Sequence, residues 1–536
     1  VRVLSRPVAP TEFQRLLTAP NEHADETKAV LLTEGLKKTY RRSPDEAIAI
    51  LGKRHREQPG ESRRRALAEL CKDRADELLG RDDHRAVGYY LDTMRLTEQA
   101  AMRAATGGEE SASQILYNQC AIQIARLVHE RKTPDVEVPG TLGKYRLRVA
   151  SGPDLADPMI FDLVVSADAL DISGLKLAPV RTGGFGAPMV GHYDITPERR
   201  AKYGHLREVS HSRSLNATVE FSGSDAYLHL QDLTLRSRRK IDGRTVELAG
   251  DYRASLAFLY FEKKLESKKL LATFRPSKFQ AETGLYSVEP YREDKIPLVI
   301  VHGLLSSAES WMPFVNYLRA DPNVRERYQM VFFNYPSGLP ILQSSGELRD
   351  ALEEYEKRFD PGGKNPRMRQ MVLLGHSMGG ILSNMQIRTS WDRLEKTAFG
   401  LSIDSLDLDA DDKALLLDRL RFEANEDVTR AIYIAAPHRG SDFASNPIGR
   451  LGSWLIQLPF GIVDGIFGEL QLVDSLTSGA REYFEHSPSS VTSLRPDNPA
   501  LEATLKLPVH DGVKMHSIIA RADTSDVLEE SSDLSL

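Results

Sequence analysis

An α/β fold is what the sequence predicts: a mainly parallel sheet in the C-terminal half, preceded by a helical region and a β-rich region. Three textures carry that prediction. Beyond about Ile296, short continuous apolar runs alternate with helical stretches, the mark of strands covered on both faces. Up to about Arg131, apolar residues recur three and four apart, as on one face of a helix. Between these regions lie short alternating runs bounded by Gly, Asp, Ser and Pro, as strands are.

The helical region, residues 1–132, is rich in Ala, Leu, Glu and Arg, with amphipathic stretches such as "DEAIAILGKRHRE" and "SQILYNQCAIQIARLVHE". No repeat period stands out, so a small bundle or arm is expected rather than a peptide-binding array. Its protein partner, if any, is not legible. "RKTPDVEVPG" (131–140) breaks the helical pattern with two prolines and a glycine and marks a boundary. The β-rich domain, residues 133–284, shows "YRLRVA", "MIFDLVVSA", "LNATVEF", "AYLHLQDLTL" and "TVELAG" as strands, with no function attached. "TGGFGAP" (182–188) reads as a turn. It is no phosphate loop, because no Lys-Ser/Thr follows and no helix opens after it. Asn216-Ala217-Thr218 matches a glycosylation sequon, a triplet common by chance.

In the third region, residues 285–536, strands are expected at Leu298–Val301, Gln329–Tyr335, Met371–Leu374, Thr429–Ala435 and Met515–Ala520. Helical stretches near 311–320, 346–358, 378–390 and 412–422 fall between them.

A chain of 536 residues is too long for one ordinary domain. Its 41% hydrophobic and 27% charged residues describe a globular protein rather than a disordered one. A net charge of −6 gives no electrostatic reason for a nucleic-acid partner. The basic clusters "KRHREQPGESRRR" (53–65) and "LRSRRK" (235–240) sit among acidic or strand-like neighbours, as on a solvated surface. Cys71 and Cys120 are the only cysteines, too few for a disulfide framework and without metal-ligand spacing. One bridge between them stays open. No window reaches the roughly 20 apolar residues of a membrane span. The longest apolar stretch, "LGSWLIQLPFGIVDGIFGELQLV" (451–473), is interrupted by Pro459, Asp464 and Glu469. The chain begins with Val1, so a removed signal peptide or lipid anchor, and with it membrane association, stays open.

The chemistry centres on "MVLLGHSMGGIL" (371–382). Gly375-His376-Ser377-Met378-Gly379 is a Gly-x-Ser-x-Gly pattern between a strand and a helix, the signature of a nucleophile elbow. The sharp turn lifts the serine above the sheet, and the residues two before and two after it crowd each other. Gly375 and Gly379 have no side chain to clash there. The following helix points its N-terminus at Ser377, which favours developing negative charge. "PLVIVHGLLSSAESW" (297–311) places His302-Gly303 at the end of a strand one βαβ repeat upstream. An oxyanion hole needs two backbone N–H groups near the attacked carbonyl. Met378, after the serine, and Leu304, in the upstream loop, are the expected donors.

On "VHGLLSS", "FNYPSGLPI" (333–341), "GHSMGG" and "IAAPHRGSDFA" (434–444), residues 285–536 resemble the α/β-hydrolase superfamily on its lipase/esterase side. Within it they are similar to bacterial, often lipoprotein-anchored, hydrolases. "ELAGDYRASLAFL" (247–259) carries a fainter likeness to the same group. The resemblance implies an α/β-hydrolase fold, a serine esterase acting on ester or lipid substrates without metal or organic cofactor, and a bacterial cell-envelope location. It also implies an acid after the "HSII" strand: Asp533 is the best match and Asp526 the second, although Leu534 stands where glycine usually follows. The last strand and its histidine-bearing loop, which the group carries further on, are not found before Leu536. Three explanations compete: a fragment, a natural truncation without the base, or a substitute histidine such as His516, His510 or His438. The last is disfavoured, since His516 lies in strand-like sequence. His438 follows the sixth strand in the usual count, which suits a loop-shaping or substrate-side role.

Two insertions remain. Asp407-x-Asp409-x-Asp411 begins like a calcium loop, but Asp412 stands where glycine is needed and apolar residues fall where ligands should. An acidic helix start is the expectation instead. Residues 445–475, rich in Leu, Ile and Phe with Trp454, read equally as core and as a lipase-like lid. The reading that unites these features is a hydrolase cleaving carboxylic esters through an acyl-enzyme on Ser377. A non-catalytic lipid- or partner-binding protein and an acyltransferase using the same serine are the alternatives.

Overall fold

The computed structural model describes residues 2–3, 24–107, 111–172, 178–193, 211–241, 243–262, 283–287, 289, 291–304, 306–405, 410–440, 494 and 498–519. The chain divides into two compact units. One comprises Val1–Glu198, Ser210–Glu262 and Asn316–Glu326, the other Arg199–Val209, Lys263–Val315 and Arg327–Leu536.

The first unit opens with six helices: α1 (Asp25–Thr33), α2 (Lys37–Arg42), α3 (Pro44–Glu57), α4 (Glu61–Leu78), α5 (Asp83–Gly107) and α6 (Ala112–Arg131). Ser111 caps α6 by accepting from the Gln114 N–H, and Lys132 ends it in the left-handed region at φ 51°. A six-stranded sheet follows, and after it a hairpin of β7 (Arg238–Ile241) and β8 (Arg244–Glu247); the sheet is built of β1 (Asp135–Pro139), β2 (Lys144–Val149), β3 (Leu163–Ser166), β4 (Ala187–Tyr193), β5 (His211–Ser222) and β6 (Asp225–Asp232). Its order is β1-β2-β6-β5-β4-β3, antiparallel except for β2 beside β6. Helices and sheet share one core, in which Tyr90, Tyr117 and Cys120 lie with Leu147, Phe161 and Val219.

Two devices weld the helices to this sheet. Gly88 on α5 lets β1 pass close by, since a Cβ there would lie 1.8 Å from Pro139 O. The buried Asp92 carboxylate accepts from the Leu142 N–H at 3.1 Å and the Tyr145 hydroxyl at 2.8 Å, closing the β1–β2 turn. Cys71 and Cys120 are both buried and free, so the bridge left open by sequence is not formed. Four of the five arginines of the 53–65 cluster pair with acids, Arg54 and Arg63 with Glu34 and Arg64 and Arg65 with Glu61, and Arg56 donates to Thr141 O at 3.0 Å.

The opposite face of β5 explains two motifs of the sequence. Ser214, Asn216 and Thr218 alternate with apolar Leu215, Ala217 and Val219, yet every one is fully buried. Asn216 donates its amide to Phe185 O at 3.0 Å and Ala249 O at 2.8 Å. The sequon asparagine is therefore a structural clamp. The glycine-rich turn serves the same clamp: Gly186 adopts φ +86°, and a Cβ there would lie 2.4 Å from Asn216 Oδ1. The "DYRASLAFL" stretch, within the region read as mainly β, forms α7 (Tyr252–Glu262), and its Ser255 hydroxyl meets that of Ser214 at 2.7 Å.

The second unit is a mixed α/β layer structure. Its strands are β9 (Gly284–Ser287), β10 (Ile296–Val301), β11 (Tyr328–Asn334), β12 (Met371–His376), β13 (Val428–Ile434) and β14 (Lys514–Ile518). The sheet order is β9-β11-β10-β12-β13-β14. Only β9 runs antiparallel to its neighbour. All six residues of β10 are buried, which is why these strands read as unbroken apolar runs. Helix α8 (Met312–Ala320), whose first turn belongs to this unit, follows β10, α9 (Ile341–Phe359) follows β11, and α10 (Met378–Gln386) and α11 (Ala410–Leu420) both lie between β12 and β13. The core joins Val299, Val331 and Leu373 of the sheet to Leu348, Leu352 and Ile381 of the helices. Among the described residues, no helix is long and apolar enough to cross a membrane.

Candidate functional site

Register brings the site together. Val301 of β10 lies opposite Phe333 of β11 and Gly375 of β12, and His376 lies opposite Ile434 of β13. The C-terminal ends of the four central strands therefore meet at one level, where open parallel sheets place their ligands.

β12 delivers the chain into Ser377 at φ 51° and ψ −124°, a conformation that costs a non-glycine residue about 1–3 kcal/mol. Ser377 N donates to Ile434 O at 3.0 Å, and Gly380 N donates to Ser377 O at 2.9 Å, so both neighbouring elements hold the turn. Glycine is required around it. A Cβ on Gly375 would lie 2.3 Å from Gly379 O, and one on Gly379 would lie 2.3 Å from Val301 O. Two further glycines share this duty: Gly303, which the sequence already placed at the end of its strand, and Gly380, which it did not single out. A Cβ on Gly380 would meet Ala436 Cβ at 2.4 Å, and one on Gly303 would meet Ser377 Cβ at 2.9 Å. A second strained residue lies alongside, Ala435 at φ 45°.

Ser377 is half-buried, whereas Met378 is fully buried at the start of α10. The helix points its positive end at the serine. Leu304 is partly buried in the loop after β10. Among the described residues, the N–H groups of Leu304 and Met378 have no backbone partner. Met378 follows the strained serine directly, and Leu304 follows Gly303, whose would-be Cβ lies 2.9 Å from Ser377 Cβ.

His376 stacks edge-on with Trp311, centroids 5.7 Å apart, and Trp311 meets Phe314 at 5.3 Å. Burial lowers the His376 pKa from its ordinary value. Burial likewise brings His302 down to about 4, so its ring is neutral near pH 7.

The other histidines are placed as follows. His438 packs edge-on against Tyr433 at 4.6 Å, with its Nε2 buried and without a partner. The Tyr433 hydroxyl accepts from Asn384 at 2.8 Å, and Arg388 Nε donates to Asn384 Oδ1 at 2.5 Å. Burial first, and then the Arg388 charge, hold the His438 pKa down. His516 is exposed on β14, its Nε2 2.5 Å from Arg430. His510 donates its backbone N–H to Ile387 O at 2.8 Å. Among the described residues, no histidine hydrogen-bonds the Ser377 hydroxyl. Asp533, Asp526 and the apolar segment 445–475 lie outside the described residues. So do Asp407 and Asp409; α11 begins at Ala410. Among the described residues, no group of three or more His, Cys, Asp or Glu could hold a metal ion.

Neither the protein-family models nor the curated proteins give a match to the chain. Among solved structures, similar ones include the mature form of the Bacillus licheniformis lipase BlEst2, 17% identical, covering 44% of this chain and 70% of that one, TM-score 0.24. An inhibited esterase B from Lactobacillus rhamnosis is 14% identical, covering 35% of this chain and 52% of that one, TM-score 0.21. A lipase-esterase related protein from Clostridium acetobutylicum is 14% identical, covering 47% of this chain and 85% of that one, TM-score 0.20. These neighbours are lipases and esterases. The chain spans about half the length of the esterase. At such TM-scores the weight rests on the strand order and on the geometry around Ser377.

Proposed function

We propose that the second unit is an α/β-hydrolase domain that cleaves carboxylic esters, of lipids or other acyl chains, through an acyl-enzyme on Ser377. Ser377 Oγ attacks the ester carbonyl, and a histidine oriented by Asp533 takes its proton. The oxyanion that forms accepts hydrogen bonds from Leu304 N–H and Met378 N–H, each worth roughly 3–4 kcal/mol in such sites. Collapse expels the alcohol, which receives the proton back, and water then releases the acid by the same steps in reverse.

The observation that carries this reading is the strained, solvent-reached Ser377, with the Leu304 and Met378 N–H groups in the adjoining segments free of backbone partners among the described residues. A structural serine has no need of that conformation. The uncharged Trp311, Phe314 and His376 cluster beside it favours an apolar acyl group over a charged one. One observation favours a second reading, a hydrolase-fold protein that binds lipid without turning it over: no described histidine meets Ser377. Hydrolysis of p-nitrophenyl esters of increasing chain length separates the two. Turnover that disappears in Ser377→Ala supports the esterase, and turnover unchanged by that substitution contradicts it.

A further inference from the structure

The loop that carries Leu304 is held by an arrangement whose parts come from two strands. We infer that His302 is a positioning residue, whose Nδ1–H on Gly303 O locks the Gly303–Leu304 peptide so that Leu304 N–H is presented at Ser377. The inference rests on the serine-hydrolase reading above and adds to it the group that sets the oxyanion donor.

The His302 ring is 1% exposed and stacks on Tyr335 with centroids 4.3 Å apart and planes 18° from parallel. Tyr335 stacks in turn on Phe333 at 5.0 Å. The ring therefore has one orientation. In it, Nδ1 lies 3.0 Å from Gly303 O. A carbonyl only accepts, so Nδ1 bears the proton and Nε2 is a bare acceptor. Among the described residues that buried Nε2 makes no hydrogen bond, a cost that an apolar ring of the same shape would avoid; the Tyr335 backbone is the other polar group that acts on the ring. What the histidine provides in exchange is the Nδ1–H.

Gly303 O receives a second bond, from Ser306 N at 3.3 Å, and the preceding carbonyl, His302 O, accepts from the Tyr335 hydroxyl at 2.7 Å. Both peptides entering the loop are thus tied on their carbonyl side. All peptide bonds described are trans, and in a trans peptide the C=O and the following N–H point in opposite directions. Turning Gly303 O inward onto His302 therefore turns Leu304 N–H outward. The peptide runs beside the serine, since a Cβ on Gly303 would lie 2.9 Å from Ser377 Cβ. Burial keeps His302 neutral near pH 7, so the lock adds no charge beside the forming oxyanion.

The test measures ester turnover per active serine, with Ser377 counted by fluorophosphonate titration in the full chain. His302→Leu should lower kcat per labelled serine about 100-fold with KM within about twofold, as loss of one oxyanion donor does. His302→Asn, whose amide N–H stands close to the place of Nδ1–H, should recover at least about tenfold of that loss. A merely structural role would lower the labelled fraction and the Tm while leaving kcat per labelled serine unchanged. That result overturns the inference, as does an asparagine variant no better than the leucine one. Should His302→Leu fail to fold, His302→Phe decides: it keeps the stack on Tyr335 but removes the Nδ1–H, and an unchanged kcat per labelled serine overturns the inference. If the unmodified chain shows no Ser377-dependent turnover, the hydrolase reading fails and this inference with it; normal turnover with an indifferent His302 sinks the inference alone.

Discussion

Gly186 in the first unit and Gly379 in the second both stand where a side chain has no room. At Gly186 the obstacle is the Asn216 side chain, 2.4 Å from a would-be Cβ. Asn216 is wholly buried, and its amide is spent on two carbonyls. At Gly379 the obstacles are Val301 O at 2.3 Å and His302 O at 2.5 Å. Beside them stands a strained serine that solvent reaches, with two N–H groups unclaimed among the described residues. Both stretches are glycine-rich for the same steric reason. Close backbone approach is architecture in the first case and a candidate site in the second, and the difference lies in which polar groups are left open.

The largest effect that could break this contrast is Ser377→Ala. If the serine is a nucleophile, ester turnover should fall about a million-fold, the loss seen when a triad serine is removed. Gly379→Ala comes next. It forces a Cβ into two carbonyls, so it should lower both turnover and stability, the latter by about 3 kcal/mol in a denaturant titration. Asn216→Ala is the counterpart in the first unit. It orphans the buried Phe185 O and Ala249 O and should cost about 2 kcal/mol of stability, with kcat per labelled serine unchanged. A fall in that kcat would erase the distinction between the two stretches.

The smallest effect concerns Glu356 on α9. Burial raises its pKa to about 7, with the Asn425 hydrogen bond opposing and the Asp427 charge reinforcing the shift. Its side chain accepts from Asn425 Nδ2 at 2.7 Å, at the turn that opens β13. Because the folded pKa lies above the ordinary carboxylate value, the folded chain binds the proton more tightly than the unfolded one. Stability from this group is fully present below about pH 4.5 and is lost as pH rises through about 7. In a side chain this open to solvent it is worth about 1 kcal/mol. Glu356→Gln should flatten the decline in Tm across that window; an unchanged decline would show that other groups cause it.

Much of the second unit was legible because its strands are buried on both faces. Ile296–Val301 and Met371–His376 read as unbroken apolar runs with the glycine pattern at the end of the second. Local sequence suffices for an elbow, whose strand, serine and helix are consecutive. The first unit was harder. Strand β4, "APMVGHY", mixes proline, glycine and histidine, and its place in the sheet comes from pairing with β5. Alternating polar residues in an antiparallel strand ordinarily mark a solvent face, yet Ser214, Asn216 and Thr218 of β5 are buried, because the backbone near Phe185 and Ala249 accepts from Asn216, and Ser214 meets Ser255 on α7. Nor could His302 and Tyr335 be paired from sequence. They stand 33 positions apart, and only the parallel register that sets Val301 against Phe333 brings them together. Gly380 went unremarked for the same reason, since its neighbour Ala436 comes from the loop after β13, and the close approach of Gly303 to Ser377 was equally hidden.

The central claim is that Ser377 is a nucleophile rather than a strained structural serine. Its most direct test is to treat the full chain with a fluorophosphonate probe and map the modified residue by peptide mass spectrometry. The account predicts one dominant adduct, on the peptide containing Gly375-His376-Ser377-Met378-Gly379, and none in Ser377→Ala. A folded chain that stays unmodified, or one labelled equally well in Ser377→Ala, would contradict it.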